Sequence, residues 1–312
     1  MEKENKNDMH DVVIVGAGPA GLSAALYAAR ADLNPLVLTG TQIGGQAALT
    51  HNIENYPGFP EGIGGVELSD LFQKNAERFG AELVFDNATS VDLSQRPFTV
   101  KTYGSSYQTK TLIIATGASP NELGIPGEKE FLGKGVSYCG TCDGWFFKDK
   151  KVVVVGGGDS ALEEGIFLTR YATSVTIIHR RDELRGGALL QKRAFKNPKI
   201  SFMWDTIVKE VLGDQSVEKV LVENVETGEQ SEITTDGFFV FIGHTPNSAM
   251  FESQLKMDKE GYLVINQQME TSVKGVYAAG EIADPRYRQV VTSAGMGAAA
   301  AIEATRLLES EA

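Results

Sequence analysis

Two glycine-rich turns, each set between a short apolar run and a helix-forming segment, constrain this 312-residue chain more than any other feature. The first is Gly16-Ala17-Gly18-Pro19-Ala20-Gly21. Asp11-Val12-Val13-Ile14-Val15 precedes it, an Ala- and Leu-rich helix over 22–30 follows, and Pro35–Leu38 completes a strand–helix–strand unit. The second is Gly156-Gly157-Gly158-Asp159-Ser160-Ala161, between Lys151–Val155 and a helix over 161–170, with 175–178 as the next strand. Apolar runs of this length are those buried on both faces of a parallel sheet. In a GxGxxG turn the glycines allow a tight bend, close approach of backbone to a pyrophosphate, and close helix-on-strand packing. The helix N-terminus then offers N–H donors to the anion. A single copy is compatible with a turn that binds nothing. Two copies about 140 residues apart predict an α/β protein with two Rossmann-like dinucleotide-binding domains rather than a short-period repeat.

The intervening segments order these domains. Thr111-Leu112-Ile113-Ile114-Ala115 and residues 237–242 read as further strands, stopped by Thr116-Gly117-Ala118-Ser119-Pro120 and Gly243-His244-Thr245-Pro246. These matching exits predict hinges, with the second unit inserted into the first: residues 1–120 and 248–312 form one domain and 121–247 the other. The chain returns through Gly275-Val276-Tyr277-Ala278-Ala279-Gly280 and a closing helix over 295–308, and residues 1–10 read as a polar tail.

The residues after each second strand discriminate the ligands. In the inserted unit, His179-Arg180-Arg181-Asp182-Glu183-Leu184-Arg185 stands where an acidic residue would hold a ribose 2′-hydroxyl. Cations there suit a 2′-phosphate and favour NADP over NAD. In the first unit Thr39-Gly40 takes that place without a carboxylate, and the residues by themselves leave its ligand open. Overall, 41 acidic against 29 basic side chains give a net charge of −12, which argues against a general nucleic-acid or anionic-membrane surface. No apolar run approaches the ~18 residues of a membrane span, and the opening residues lack a secretory core, so the cytoplasm is the expected location.

The chain has two cysteines, and both lie in Cys139-Gly140-Thr141-Cys142. The spacing suits a reversible disulfide; half a zinc site and inert buried thiols are the competing readings. Zinc would need two more ligands, and the four histidines, at 10, 51, 179 and 244, show no paired metal spacing, so no metal is expected. Against inert thiols, Asp143 beside Cys142 offers a proton donor and acceptor, and Gly140 and Gly144 are expected to permit close approach by a partner group.

From about residue 10 to 308 the chain resembles the low-molecular-weight thioredoxin reductases, which depend on NADPH and FAD. Gly16-Ala17-Gly18-Pro19-Ala20-Gly21 resembles their FAD turn, Thr39-Gly40-Thr41-Gln42-Ile43-Gly44-Gly45-Gln46 their flavin-contacting loop, and Glu54-Asn55-Tyr56-Pro57-Gly58 the segment after it. Ala115-Thr116-Gly117 is similar to their interdomain flavin motif, Cys139-Gly140-Thr141-Cys142-Asp143-Gly144 to their redox motif, and His179-Arg180-Arg181-Asp182 to their NADP motif. The resemblance implies an FAD site of Gly16, Gly18, Pro19, Ala20, Gly21, Thr39, Gly40, Gly45, Gln46, Asn55, Thr116, Gly117, Gly280, Glu281, Arg288, Gln289 and Val290. It implies an NADPH site of Gly156, Gly157, Gly158, Asp159, Ser160, His179, Arg180, Arg181 and Arg185, with Cys139, Cys142 and Asp143 as catalytic residues. Three positions depart from the pattern. Glu281 replaces the usual Asp after Gly280, Met296 stands where an acidic residue is common, and Trp145 is bulkier than the usual occupant. For Trp145, packing in the core is expected over stacking near the flavin.

The resemblance further implies electron transfer from NADPH through FAD to the Cys139–Cys142 disulfide and on to thioredoxin, in a homodimer. Cys142 would face the flavin, Cys139 would attack the partner, and Asp143 would move the proton. Both the NADP turn and the cysteine pair lie on the inserted domain, yet both must meet one isoalloxazine ring carried by the other. A rotation of 121–247 about the segments 116–120 and 243–247 is therefore expected. Two rivals remain at this level: a related flavoenzyme using ferredoxin or another electron partner, and a non-catalytic nucleotide-binding redox sensor.

Overall fold

In the computed structural model, which describes residues 9–50 and 52–311, the apolar run before the first glycine turn is an inner strand of a mixed sheet, parallel to the strands on both sides of it. Strand β1 (Met9–Val15) leads through the turn into helix α1 (Pro19–Arg30) and strand β2 (Pro35–Leu38). Proline at the start of α1 is suited to a position whose N–H has no intrahelical partner. Of the tail expected over 1–10, residues 1–8 lie outside the described range, as does His51. Met9 and His10 correct that expectation, because they pair with Gln108 and Thr109 and so extend β1. Helix α2 (Gly65–Arg78) and strands β3 (Glu82–Val84), β4 (Ala88–Asp92), β5 (Phe98–Thr102) and β6 (Ser106–Ile114) follow, in the sheet order β3-β2-β1-β6-β5-β4. The period-2 pleat of β1 splits its side chains between two cores: Val12 and Ile14 join the α1 side, Val13 and Val15 the opposite face.

Strand β7 (Ala118–Pro120) leads to the second unit, in which β8 (Val136–Ser137) and the one-turn helix α3 (Gly140–Asp143) precede the second nucleotide motif. That motif is β9 (Lys151–Val155), α4 (Asp159–Leu168), β10 (Ser174–Ile178), α5 (Ala188–Lys196) and β11 (Ile200–Met203). The antiparallel strands β12 (Thr206–Gly213), β13 (Val217–Asn224) and β14 (Gln230–Thr234) come next, then β15 (Gly237–Val240). The parallel sheet has the order β11-β10-β9-β15-β8. Strand β9 repeats the division seen in β1: Val152 and Val154 pack with α4 and α5, while Val153 and Val155 pack with the β12–β14 meander. The meander, which no sequence motif marks, covers the sheet face that the helices leave.

Strand β16 (His244–Pro246), paired with β7, returns the chain to the first unit. Strand β17 (Val276–Ala278) lies parallel to residues 112–114 of β6, beyond the stretch that pairs with β5, and α6 (Val290–Glu311) closes the chain. By contacts the chain divides into a unit of Met1–Ser119 with Thr245–Ala312 and a unit of Pro120–His244. Among the described residues, no helix is long and apolar enough to cross a membrane.

The buried stripe of α6 is Ser293, Ala294, Gly297, Ala300, Ala301 and Ala304, and it packs on the equally small residues of α1. Backbones approach so closely that a Cβ at Gly297 would overlap the Ala20 carbonyl. Gly297→Ala is expected to destabilise the ligand-free protein by about 1–3 kcal/mol in urea unfolding, despite the gain of a better helix former. Gly295→Ala, whose Cβ meets nothing within 4 Å, is expected to be neutral or stabilising in the same measurement.

Candidate functional site

The first glycine turn separates into residues fixed by the chain and one residue that is not. A Cβ at Gly16, whose φ is +110°, would overlap the Ala115 carbonyl, and one at Gly21 would overlap the Gly16 carbonyl. Gly18 has an ordinary φ of −75°, and a Cβ there would find nothing within 4 Å. Its smallness serves no contact within the chain; it leaves open the space that a pyrophosphate needs. Gly18 is also the N-cap of α1 and supplies no side-chain cap, so the first-turn N–H groups face that space unpaired by a cap.

Other expected residues converge here. A Cβ on Gly45 would lie 3.4 Å from Gly18 Cα, and Gly44 N donates to Ala17 O at 2.8 Å, which seats the 42–46 loop on the turn. A Cβ on Gly280 would lie 3.0 Å from Ala20 Cβ. Asn55 Nδ2 donates to Gln289 Oε1 at 2.9 Å, and Val290 packs on Ile53 and Ile63, tying the 52–63 loop to the start of α6. Thr116 Oγ1 donates to Asn247 O and Asn247 Nδ2 to Thr116 O, both at 2.9 Å, while Asn247 N donates to Gly117 O at 3.0 Å. The Thr39 hydroxyl is engaged within the chain, with Gly40 O at 3.0 Å and Val84 O at 3.3 Å. Gln46 is exposed beside Gly45. Burial pushes the Glu281 carboxyl above its usual range, and the Arg288 guanidinium offsets part of that rise. Arg288 Nη2 in turn donates to Tyr262 Oη at 3.5 Å. Tyr262 and Asn247 are not legible as site residues in the sequence, because each acts through a contact with a distant segment.

The second turn repeats the division. A Cβ at Gly156 would overlap the Phe241 carbonyl, whereas one at Gly158, the uncapped N-cap of α4, would meet nothing within 4 Å. The loop after β10 folds back on this turn: Arg185 N and Gly186 N donate to Gly157 O at 2.7 and 3.0 Å, and Asp159 Oδ1 accepts from Gly187 N at 2.6 Å. The side chains of Ser160, Arg180, Arg181 and Arg185 are exposed. His179 stands apart from the arginines. Its ring is buried against Gly157, and burial first, then Arg185, Arg181 and Arg180, push its pKa down. The cationic cluster is therefore three arginines near an imidazole that their charge and its burial keep neutral.

Cys139 and Cys142 form a disulfide, with Cα atoms 5.3 Å apart. Cys139 caps α3, and Cys142 N donates to its Sγ at 3.2 Å. Burial pushes the Asp143 carboxyl up, and the Ser137 hydroxyl, 2.6 Å from Oδ2, draws it partly back. Ser137 is a site residue that no motif signals. Two expectations are corrected. Gly140 and Gly144 are buried for packing: a Cβ at Gly140 would overlap Glu164 Oε2, and one at Gly144 would lie 3.1 Å from Leu168 Cδ2, so their smallness seats α3 on α4. Trp145 is 50% exposed, with its ring edge-on to Tyr171 and Lys148 Nζ over its face, and is not a core residue.

Comparison with known proteins agrees with these features. The family described as pyridine nucleotide-disulphide oxidoreductase matches residues 10–297. A thioredoxin reductase of Rickettsia bellii is 51% identical over 302 residues, covering 95% of this chain and 97% of its own. One of Streptomyces coelicolor is 48% identical over 305 residues, covering 97% and 95%. The crystal structure of thioredoxin reductase from Streptococcus pyogenes superposes with a TM-score of 0.94 at 42% identity, covering 98% of this chain and all of that one.

The open glycines separate ligand binding from folding. Gly18→Asp and Gly158→Asp each place a favoured N-cap residue at a site with room for it, so the unfolding free energy of the ligand-free protein should be unchanged or raised by up to ~1 kcal/mol. The same carboxylate would occupy and repel a pyrophosphate, and equilibrium binding of the dinucleotide expected for that unit should weaken about 100-fold or more.

Proposed function

Because the chain belongs to the pyridine nucleotide-disulphide oxidoreductases, we propose that it reduces the disulfide of a thioredoxin, with FAD and NADPH as cofactors. The observation that carries this reading is the Cys139–Cys142 disulfide beside a half-buried Asp143, in the same unit as a dinucleotide turn onto which the arginine-bearing loop folds through Arg185. The open cradle at Gly18, with Ala20, Gly45 and Gly280 around it, fits the pyrophosphate of FAD. The cradle at Gly158 fits that of NADPH, with Arg180, Arg181 and Arg185 for its 2′-phosphate. Those exposed cations favour NADPH over ferredoxin as electron source. When bound, the two cofactors supply the electron pair that opens the Cys139–Cys142 disulfide.

The chain's own residues account for the rest. Thiolate is the reactive form of cysteine, and the Cys142 amide directed at Cys139 Sγ would stabilise it there, which makes Cys139 the attacking sulfur. Its Sγ bonds to one sulfur of the partner as the partner's S–S bond breaks, and the departing thiolate takes a proton from Asp143. Cys142 then gives its thiol proton to the Asp143 carboxylate and its Sγ attacks Cys139 Sγ, which re-forms the intrachain disulfide and releases the second partner sulfur as a thiolate that takes a proton from water. A carboxyl raised by burial retains the proton that the first step consumes. Trp145 and Phe146, exposed just after Asp143, give a protein partner an aromatic surface next to the pair.

NADPH oxidation by the FAD-loaded enzyme should depend on added thioredoxin, and Cys139→Ser or Cys142→Ser should lower that turnover by about 10³-fold or more. Oxidation that ignores thioredoxin, or serine variants that still turn over, would remove the reading.

The same proposal includes a homodimer in the cytoplasm, domains of 1–120 with 248–312 for FAD and 121–247 for NADPH, and rotation between half-reactions. Rotation is supported by the chain layout, since the dinucleotide turn and the cysteine pair of one unit must each serve one flavin of the other. A disulfide or chemical crosslink between 116–120 and 243–247 that stiffens both connections should permit one half-reaction and block the other in stopped-flow. Two unimpaired half-reactions would exclude it.

A further inference from the structure

Asp143 has to carry a proton at one stage of the reaction proposed above and lack it at another, and it is half-buried, with its carboxyl hydrogen-bonded to a buried hydroxyl. Ser137 is 4% exposed at the end of β8, six residues earlier in the chain. Its Oγ lies 2.6 Å from Asp143 Oδ2 and 3.2 Å from Cys139 O, and accepts from Cys139 N at 3.0 Å. A hydroxyl has one proton and two lone pairs. One lone pair is committed to the Cys139 amide, so the single proton has two acceptors to choose between.

We propose that Ser137 is a positioning residue whose hydroxyl changes acceptor with the protonation state of Asp143. When Asp143 is ionised, the Ser137 proton points to Oδ2. When Asp143 is protonated, the acid donates its own proton to the free lone pair of Ser137 Oγ, and the Ser137 proton turns to the Cys139 carbonyl. Each group keeps a partner in both states, and the Cys139 amide holds the oxygen in place throughout. Transfer of the Asp143 proton to a thiolate then leaves a thiol and a carboxylate, with rotation of one O–H as the accompanying motion.

The neighbouring elements leave this pair in control. Strand β15 presents Phe238 and Phe239 opposite Val136 and Ser137. Helix α4 meets α3 at Gly140 through Glu164, and Tyr138 gives its hydroxyl to Glu128, which also accepts the amides of Leu123, Gly124 and Ile125. Lys148 and Lys150 lie over the rings of Trp145 and Phe147. Burial favours the acid form of Asp143 and Ser137 favours the carboxylate, in that order of size.

The test is a pH titration of the protonated-carboxyl stretch by difference infrared spectroscopy, on FAD-loaded full-length enzyme, with the Asp143 band assigned by its loss in Asp143→Asn. Ser137→Ala should raise the midpoint of that band by about one pH unit, because the hydrogen bond to the carboxylate that it removes is stronger than the bond from the neutral acid that it also removes, and Ser137→Thr should return it. If the alanine variant does not fold, Ser137→Gly makes the same deletion. A midpoint that stays or falls without the hydroxyl, a threonine variant that folds but does not restore it, or no Asp143 band at any pH would each overturn the proposal. Thioredoxin turnover of the same preparations separates the two claims. A band that moves as stated in an enzyme inert to thioredoxin keeps the hydroxyl switch and removes the assigned reaction; normal turnover with an unmoved band does the reverse.

Discussion

The contact on which both halves of the molecule depend is a glycine lying under a carbonyl at the end of a neighbouring strand. Gly16 lies under Ala115, which follows β6, and Gly156 lies under Phe241, which follows β15. Neither position has room for a Cβ. Each contact brings a nucleotide turn against the strand from which the chain leaves its sheet. The positions that would receive a ligand and the positions where the chain changes unit are therefore determined by the same packing, once in each unit. Alternation along β1 and β9 then covers each sheet on both faces, which is what a wholly apolar strand requires.

Charge is handled locally against an unfavourable background. The chain carries a net −12, yet the loop after β10 brings Arg185 to the turn that opens α4, where the helix dipole has the same sign, and Arg180 and Arg181 join it in acting on His179 beside that turn. Asp159 lies in that first turn, but its carboxylate accepts the Gly187 amide and so holds the arginine loop in place. Burying His179 uncharged near the arginines avoids adding a fourth cation in low dielectric. The site is thus selective for where positive charge stands, not only for how much there is.

The nucleotide units were legible because their signals are local: an apolar run, glycines at fixed spacing, then a helix. Pro35–Leu38 and Lys151–Val155 are strands with those bounds. Signals failed where tertiary pairing decides. Strand β1 begins earlier than its apolar run because β6 offers partners to Met9 and His10. The β12–β14 meander has half-polar strands whose apolar side chains matter only once the β9 sheet needs a cover. Burial is equally hard to read from residue type: Trp145 is large and exposed, and His179 is basic and buried. Gly140 and Gly144 suggested access for a partner, whereas their neighbours on α4 explain them. Ser137 carries no motif, since its role arises only when α3 turns Asp143 back toward β8.

The packing of α3 also bears on motion. Gly140 rests against Glu164 and Gly144 against Leu168, so the cysteine pair is seated on the body of α4. The N-terminus of that same helix is the second glycine turn. One short, well-packed helix thus carries the dinucleotide turn at its start and the disulfide along its flank, and interiors packed this closely resist internal displacement. Within the unit, neither feature can be advanced while the other is withdrawn without breaking those contacts. If a single redox group outside the unit is to meet first one and then the other, the change must come from movement of the whole unit. The chain passes between the two units at β7 and β16, the two places where its backbone joins them.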